Sequence, residues 1–500
     1  MAIQHGSSSG NCKSASSRPK ATADIPAASK ARAGDAAPRL EDAVINLTSP
    51  RLRSAGLTRQ LALALVLASG TAVLAVPGFA DAAHAQKRDK KKKDEAVDPA
   101  KPVYSKAFVD AYQPVNTVVT TDGTDVSAIL PQIEALVPLA VSQDEQLALG
   151  GLLFNAGIRT KDTKLQLRGA EVMLASGKVK PEEVGRFNLV AFQISASLNQ
   201  YEKARGYLQK AIDLNYSAPN VSATDLQMNM AELFFSEDRN IEGLQYLSDA
   251  IAARKAQGLE VDQRWYRRGV SVAYSNEIVP QVYDFVTAWV IDNPQPENWR
   301  DAVNLTRNLN DFEPAVMLDL LRLGRKVGTL TDKNDYIYYV ESADARRLPQ
   351  EVKDVIDEAR AKGTIPKGTD SYVDEQLGIA AGRIAADRAD LPKLERDAGA
   401  ATAQLRTVVG AGDAFLSYSD YAKAVRFYQK GLGMAGVDRD LVLTRLGIAQ
   451  IGAGDAAGAR DSLAQVQGLR APIAKLWGAY AAQLIAAAAA PAPAAVATAS

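Results

Sequence analysis

The chain has 500 residues, 47% of them hydrophobic and 23% charged, with 58 Lys+Arg balanced by 58 Asp+Glu. This is the composition of a folded globular chain, not of a collagen-like or multi-span membrane one. Its one cysteine, Cys12, and its two histidines, His5 and His84, all precede residue 86, so a chain trimmed there has no Cys/His zinc site, thiol nucleophile, Ser-His-Asp triad or disulfide framework.

Residues 1–50 are rich in Ala, Ser and Pro without apolar periodicity and read as a disordered leader. Gly6-x-Ser8-x-Gly10 within it spells a hydrolase elbow but lacks the strand that the motif needs. Arg51, Arg53 and Arg59 then precede the apolar run Leu61–Val76, followed by Pro77, Gly78 and Ala83-His84-Ala85, the order of a secretory signal over 51–85. The run is short of the roughly 20 apolar residues of a span, so cleavage after Ala85 and a periplasmic location are expected. The alternative is an uncleaved inner-membrane anchor, which the six basic residues Lys87, Arg88 and Lys90–Lys93 beyond the run favour. Removal of 1–85 leaves 49 Lys+Arg against 53 Asp+Glu, which argues against nucleic acid as a partner. Lys90, Lys91, Lys92 and Lys93 read as a solvated linker or as a weak contact to an anionic membrane surface.

Residues 86–142 form a basic linker and lead-in. Val115–Thr121, rich in Val and Thr, reads as a short strand, and Asp122-Gly123 as a turn. From 143 to 470 the pattern becomes helical and repeats. Ala204, Leu208 and Ala211 recur 39 residues on as Gly243, Leu247 and Ala250, and Ala424, Tyr428 and Gly431 recur 35 residues on as Ala459, Leu463 and Val466. Small residues flanking a large one suit a closely docked second helix, because they let backbones approach while the large side chain fills the gap. First-helix patterns precede them: Tyr266-x2-Gly269-Val270-x2-Ala273, Trp299-x2-Ala302-Val303-x2-Thr306 and Leu443-x2-Leu446-Gly447. About nine units start near Gln143, Gly185, Thr224, Gln263, Pro296, Lys333, Ser371, Leu405 and Asp440, and are clearest over 185–258 and 405–470. Pro349 opens the second helix of the 333 unit. A helix over 471–485 with Leu476, Trp477 and Tyr480 caps the open end, and 486–500 is an Ala/Pro-rich tail.

These units resemble the tetratricopeptide repeat, a helix-turn-helix of about 34 residues. The resemblance implies an all-α, right-handed α-solenoid. It also implies a concave groove lined by first-helix positions, here Phe235, Arg264, Arg267, Tyr274, Arg300, Asn304, Arg307 and Asn308. The four arginines look like a partial clamp for an acidic peptide terminus; alternatively, acids on neighbouring helices balance them. The function expected from the resemblance is a non-catalytic periplasmic scaffold or adaptor that holds a protein or peptide in the groove without a cofactor. A murein-acting envelope enzyme on a solenoid scaffold and a membrane-anchored assembly factor are the alternatives. Gly431-x-Gly433-x2-Gly436 matches a dinucleotide fingerprint, but it closes a repeat helix. Glu182-Glu183 and the group Asp354, Asp357 and Glu358 read as first-turn and solvated acids.

Overall fold

The computed structural model describes residues 102–489. The leader, the signal segment, the Lys90–Lys93 run and the end of the tail lie outside the described residues. Among the described residues there are twenty α-helices and no β-strand, so the chain is all-α. In chain order these are α1 Lys106–Thr120, α2 Leu130–Ala135, α3 Gln143–Thr160, α4 Thr163–Ala175, α5 Pro181–Ser197, α6 Tyr201–Asp213 and α7 Ala223–Ser236. There follow α8 Asn240–Ala256, α9 Gln263–Ser275, α10 Val279–Asp292, α11 Pro296–Asn308, α12 Pro314–Lys326, α13 Lys333–Ala343 and α14 Pro349–Ala361. The last six are α15 Ser371–Gly399, α16 Leu405–Ser417, α17 Tyr421–Leu432, α18 Arg439–Gly452, α19 Ala456–Leu463 and α20 Ala471–Ala489. None is long and apolar enough to cross a membrane.

The helices start where local chemistry satisfies the free amides of a first turn. Ser142, Ser222 and Asp332 form capping boxes at α3, α7 and α13, and Asp162, Asp262, Asp370 and Asp438 cap α4, α9, α15 and α18. Pro181, Pro296, Pro314 and Pro349 open α5, α11, α12 and α14, where no amide donor is required.

Six times the chain reverses in the same way: one residue turns left-handed and the next helix starts two positions later. These residues are Lys161, Asn199, Asp238, Glu277, Ser419 and Gly454, with φ between 56° and 85°. They join α3 to α4, α5 to α6, α7 to α8, α9 to α10, α16 to α17 and α18 to α19. The docking inside the pairs is equally regular. A Cβ on Gly269, Gly412 or Gly447 would lie 2.4–2.5 Å from Phe285, Tyr428 or Leu463, in each case the residue sixteen positions further on. Only glycine leaves room for these rings and branches to seat against the facing backbone. Neighbouring pairs are then joined by contacts one repeat apart, among them Arg268–Glu232, Lys255–Asp292, Arg325–Glu358 and Arg426–Glu395.

Three features differ from the sequence-based expectation. Val115–Thr121 is not a strand. It runs through the last turns of α1, whose Phe108, Tyr112, Val115 and Val119 are buried at helical spacing behind a Ser105 cap. Burial of that stripe outweighs the β-propensity of its Val and Thr residues. The expected pair at 371 is instead the single 29-residue helix α15, which runs through Gly378, Gly382 and Pro392 without a break. Finally, α20 does more than cover an end. It packs back onto α10, α11 and α12 as well as α18 and α19, and one continuous core runs from Ala231 to Ala481.

Candidate functional site

Side chains from α12 and α14, second members of their pairs, from α16 and α18, first members of theirs, and from Arg470 and α20 are joined in one ionic network around a single acid. On α12, Met317, Leu318, Leu320, Leu321 and Leu323 are buried around Asp319, which is itself 0% exposed. Arg470 Nη1 donates to Asp319 Oδ2 at 2.6 Å, Arg445 Nε lies 3.4 Å from the same oxygen, and Arg322 Nη1 donates to Oδ1 at 2.9 Å. Trp477 Nε1 donates to the Asp319 carbonyl at 2.8 Å, tying α20 to the same point. Arg445 in turn reaches both oxygens of Asp413 at 2.8 Å, and Arg322 grips Glu351 through Nε at 2.8 Å and Nη2 at 2.7 Å. The hydroxyls of Tyr339 and Tyr428 donate to Glu351 and Asp413, each at 2.7 Å.

Charge balance keeps this network ionised. Burial alone would raise the Asp319 carboxyl, but Arg445, Arg322 and Arg470 together hold it below the usual carboxylate range. Burial likewise pushes Glu351 up, and Arg322 with the Tyr339 hydroxyl brings it down. For the arginines burial disfavours the cation, yet Glu351 and Asp319 raise Arg322 well above its ordinary value, and Asp319 and Asp413 raise Arg445. Burial and Glu351 push the Tyr339 phenol far up, so it is a fixed donor.

Beside the network lies a cleft of about 420 Å³. It is lined by Arg322, Arg325 and Lys326 of α12, Tyr339 of α13, and Glu351, Asp354 and Glu358 of α14, together with Leu416, Ser417, Ser419, Tyr421, Ile448 and Trp477. Glu358 accepts from Arg325 Nε at 2.6 Å and from Lys362 Nζ at 2.8 Å. Although burial raises its carboxyl, Lys362 and Arg325 hold it below the ordinary range. Neither Glu351 nor Glu358 therefore has the raised pKa that a general acid needs near neutral pH.

None of the eight groove residues expected from the resemblance lines this cleft. They lie along α7, α9 and α11, three first helices joined side by side through Arg264–Asp225 at 4.0 Å and Arg268–Glu232 at 2.6 Å, with Asp301 of α11 near Arg267 of α9. Arg264 is exposed and pairs with Asp262 at 2.7 Å. Arg267 lies 5.7 Å over the Trp289 ring, and Arg307 sits 3.6 Å from Asp335. Asp301 is partly buried, which raises its carboxyl; Arg267 and Arg300 oppose that rise. Phe235 packs under Arg268 at 5.2 Å, and Tyr274 is half-buried, which raises its phenol. Asn304 is half-buried, while Arg300 and Asn308 are exposed. All four arginines thus already have an acid within reach. Arg268, absent from the expected set, makes the two-toothed contact to Glu232.

Sequence reasoning missed Asp319 altogether. The available signal was a lone acid inside Val316-Met317-Leu318-Asp319-Leu320-Leu321, since a carboxylate on the apolar stripe of a helix requires partners. No protein-family model matches the sequence, and no curated protein matches it.

Proposed function

We propose that the chain is a non-catalytic scaffold or adaptor, a right-handed tetratricopeptide-like α-solenoid that is exported to the periplasm and holds a protein or peptide partner. The observation that carries this reading is the way charge is used. The buried acids Asp319 and Glu351 are held ionised by fixed guanidinium partners, an arrangement that stabilises shape and does not move protons. The recurring turn and the regular glycine docking support a solenoid, whose helix pairs present an extended rigid side with little ordering entropy left to lose on binding.

The partner-binding face in this reading is the row α7, α9 and α11, where Arg264, Arg300 and Asn308 are exposed and Phe235 and Tyr274 supply aromatic surface. The test is affinity capture of the full chain from envelope extract with cross-linking, repeated with Arg264→Glu and Arg300→Glu combined. Both side chains are exposed, so the fold should persist. Loss of the captured partner is expected; an unchanged partner list contradicts the assignment of this face, and the absence of any partner contradicts the scaffold.

A further inference from the structure

The cleft beside the ionic network has a charge pattern that the network leaves incomplete. Its lining contains three cations, Arg322, Arg325 and Lys326, and three carboxylates, Glu351, Asp354 and Glu358, so it is formally neutral. Two of the three possible pairs between α12 and α14 are closed: Arg322 with Glu351 at 2.7 Å, and Arg325 with Glu358 at 2.6 Å. The third is open. Among the described residues Lys326, which is exposed, makes no ion pair within 4.0 Å, and the half-buried Asp354 has no cation within 4.0 Å and accepts only from Gln350 Nε2, at 2.7 Å through Oδ1. The lining also contains the apolar side chains Leu416 and Ile448 and the hydroxyls of Ser419 and Tyr421.

We infer that this cleft binds a small dipolar molecule with one anionic group, one cationic group and a short apolar body, of the class of a free amino acid or dipeptide. The carboxylate end would meet the Lys326 ammonium, the ammonium end would meet Asp354, and the apolar body would rest on Leu416 and Ile448. A dipolar ligand supplies a counter-charge to the half-buried Asp354 and to the exposed Lys326 at once and preserves the neutrality of the cleft, whereas a ligand of net charge serves only one of them. The volume lies within the range of small-ligand clefts. The site is separate from the face of α7, α9 and α11, and stands whether or not a protein partner occupies that face.

The test is titration calorimetry on the full chain with leucine and the dipeptide Ala-Leu, compared with N-acetyl-Ala-Leu and Ala-Leu-amide. Saturable binding of at least one free ligand is expected, with each blocked dipeptide weaker than Ala-Leu by about tenfold, corresponding to about 1.4 kcal/mol. Lys326→Met should remove the preference for the free acid over the amide. Asp354→Asn should remove the preference for the free amine over the acetyl form. Each variant keeps the other preference, which a general loss of structure would not do. Absence of binding by both leucine and Ala-Leu up to about 10 mM overturns the inference, as does equal binding of the blocked forms or retention of both preferences in the variants.

Discussion

At the scale of single residues, Asp319 is the point on which the carboxyl-terminal half depends. Its partners Arg445 and Arg470 are 126 and 151 positions away, and its backbone holds Trp477. Removing one member of a buried ion network leaves the others uncompensated, at a typical cost of about 3–5 kcal/mol. Asp319→Asn is therefore expected to lower the urea-unfolding free energy by about that amount. The pH dependence has a definite sign. Asp319 and Glu351 have folded-state values below their ordinary ones, so their stabilisation is complete above the unfolded carboxylate range near about 4. It is lost as pH falls through the depressed folded values. The stability advantage of the native chain over Asp319→Asn should shrink on acidification below about pH 4 and stay constant from there to neutrality. A milder residue-scale test concerns the left-handed turns. Glu277 has φ 56°, a conformation that glycine adopts without steric cost, so Glu277→Gly should raise stability by up to about 1 kcal/mol in thermal unfolding.

At the scale of elements, much of the architecture was legible in the sequence. The starts that the repeat pattern places at Gln143, Gln263, Pro296, Lys333, Ser371 and Leu405 coincide with helix starts, and at all but Leu405 a cap or an N-terminal proline, which is local chemistry, lies at that point. The close docking of Gly447 on Leu463 was also legible, since a small residue facing a large one across a helix pair leaves a fixed spacing. Expectation failed where packing overrode local preference, as at Val115–Thr121. It also failed where a helix runs through residues that usually break one, as α15 does through Gly378, Gly382 and Pro392. Two substitutions in α16 test the docking directly. A Cβ at Gly412 would lie 2.5 Å from the fully buried Tyr428 ring, which Asp413 holds in place, so Gly412→Ala should cost about 1–3 kcal/mol. At Gly410, two positions away on the exposed side, a Cβ meets nothing within 4 Å, and Gly410→Ala should be neutral or gain up to about 1 kcal/mol by the same chemical-denaturation assay. In α15, Pro392 lies exposed inside the helix, and Pro392→Ala should raise the thermal midpoint through a gain of about 1–2 kcal/mol.

At the scale of the whole molecule, the departure from a simple row of pairs is the return of α20 to the middle of the chain. In an open array each unit touches only its neighbours, and stability is a sum of local terms. Here Trp477 and Arg470 join α12 to residues more than 150 positions later, while Lys475 pairs with Asp284 of α10 at 2.6 Å. This closure was not legible in the sequence, because α20 reads as a generic apolar helix and the partners of Asp319 have no fixed spacing. Helices α10 to α20 are accordingly expected to open as one cooperative unit, independently of α3 to α6. Native-state hydrogen exchange on the full chain carrying Trp477→Ala tests this most directly. The structure predicts that amide protection falls together in α12, α18 and α20 while α3 to α6 keep the protection of the unaltered chain; a loss confined to α20 and its sequence neighbour α19 would contradict it.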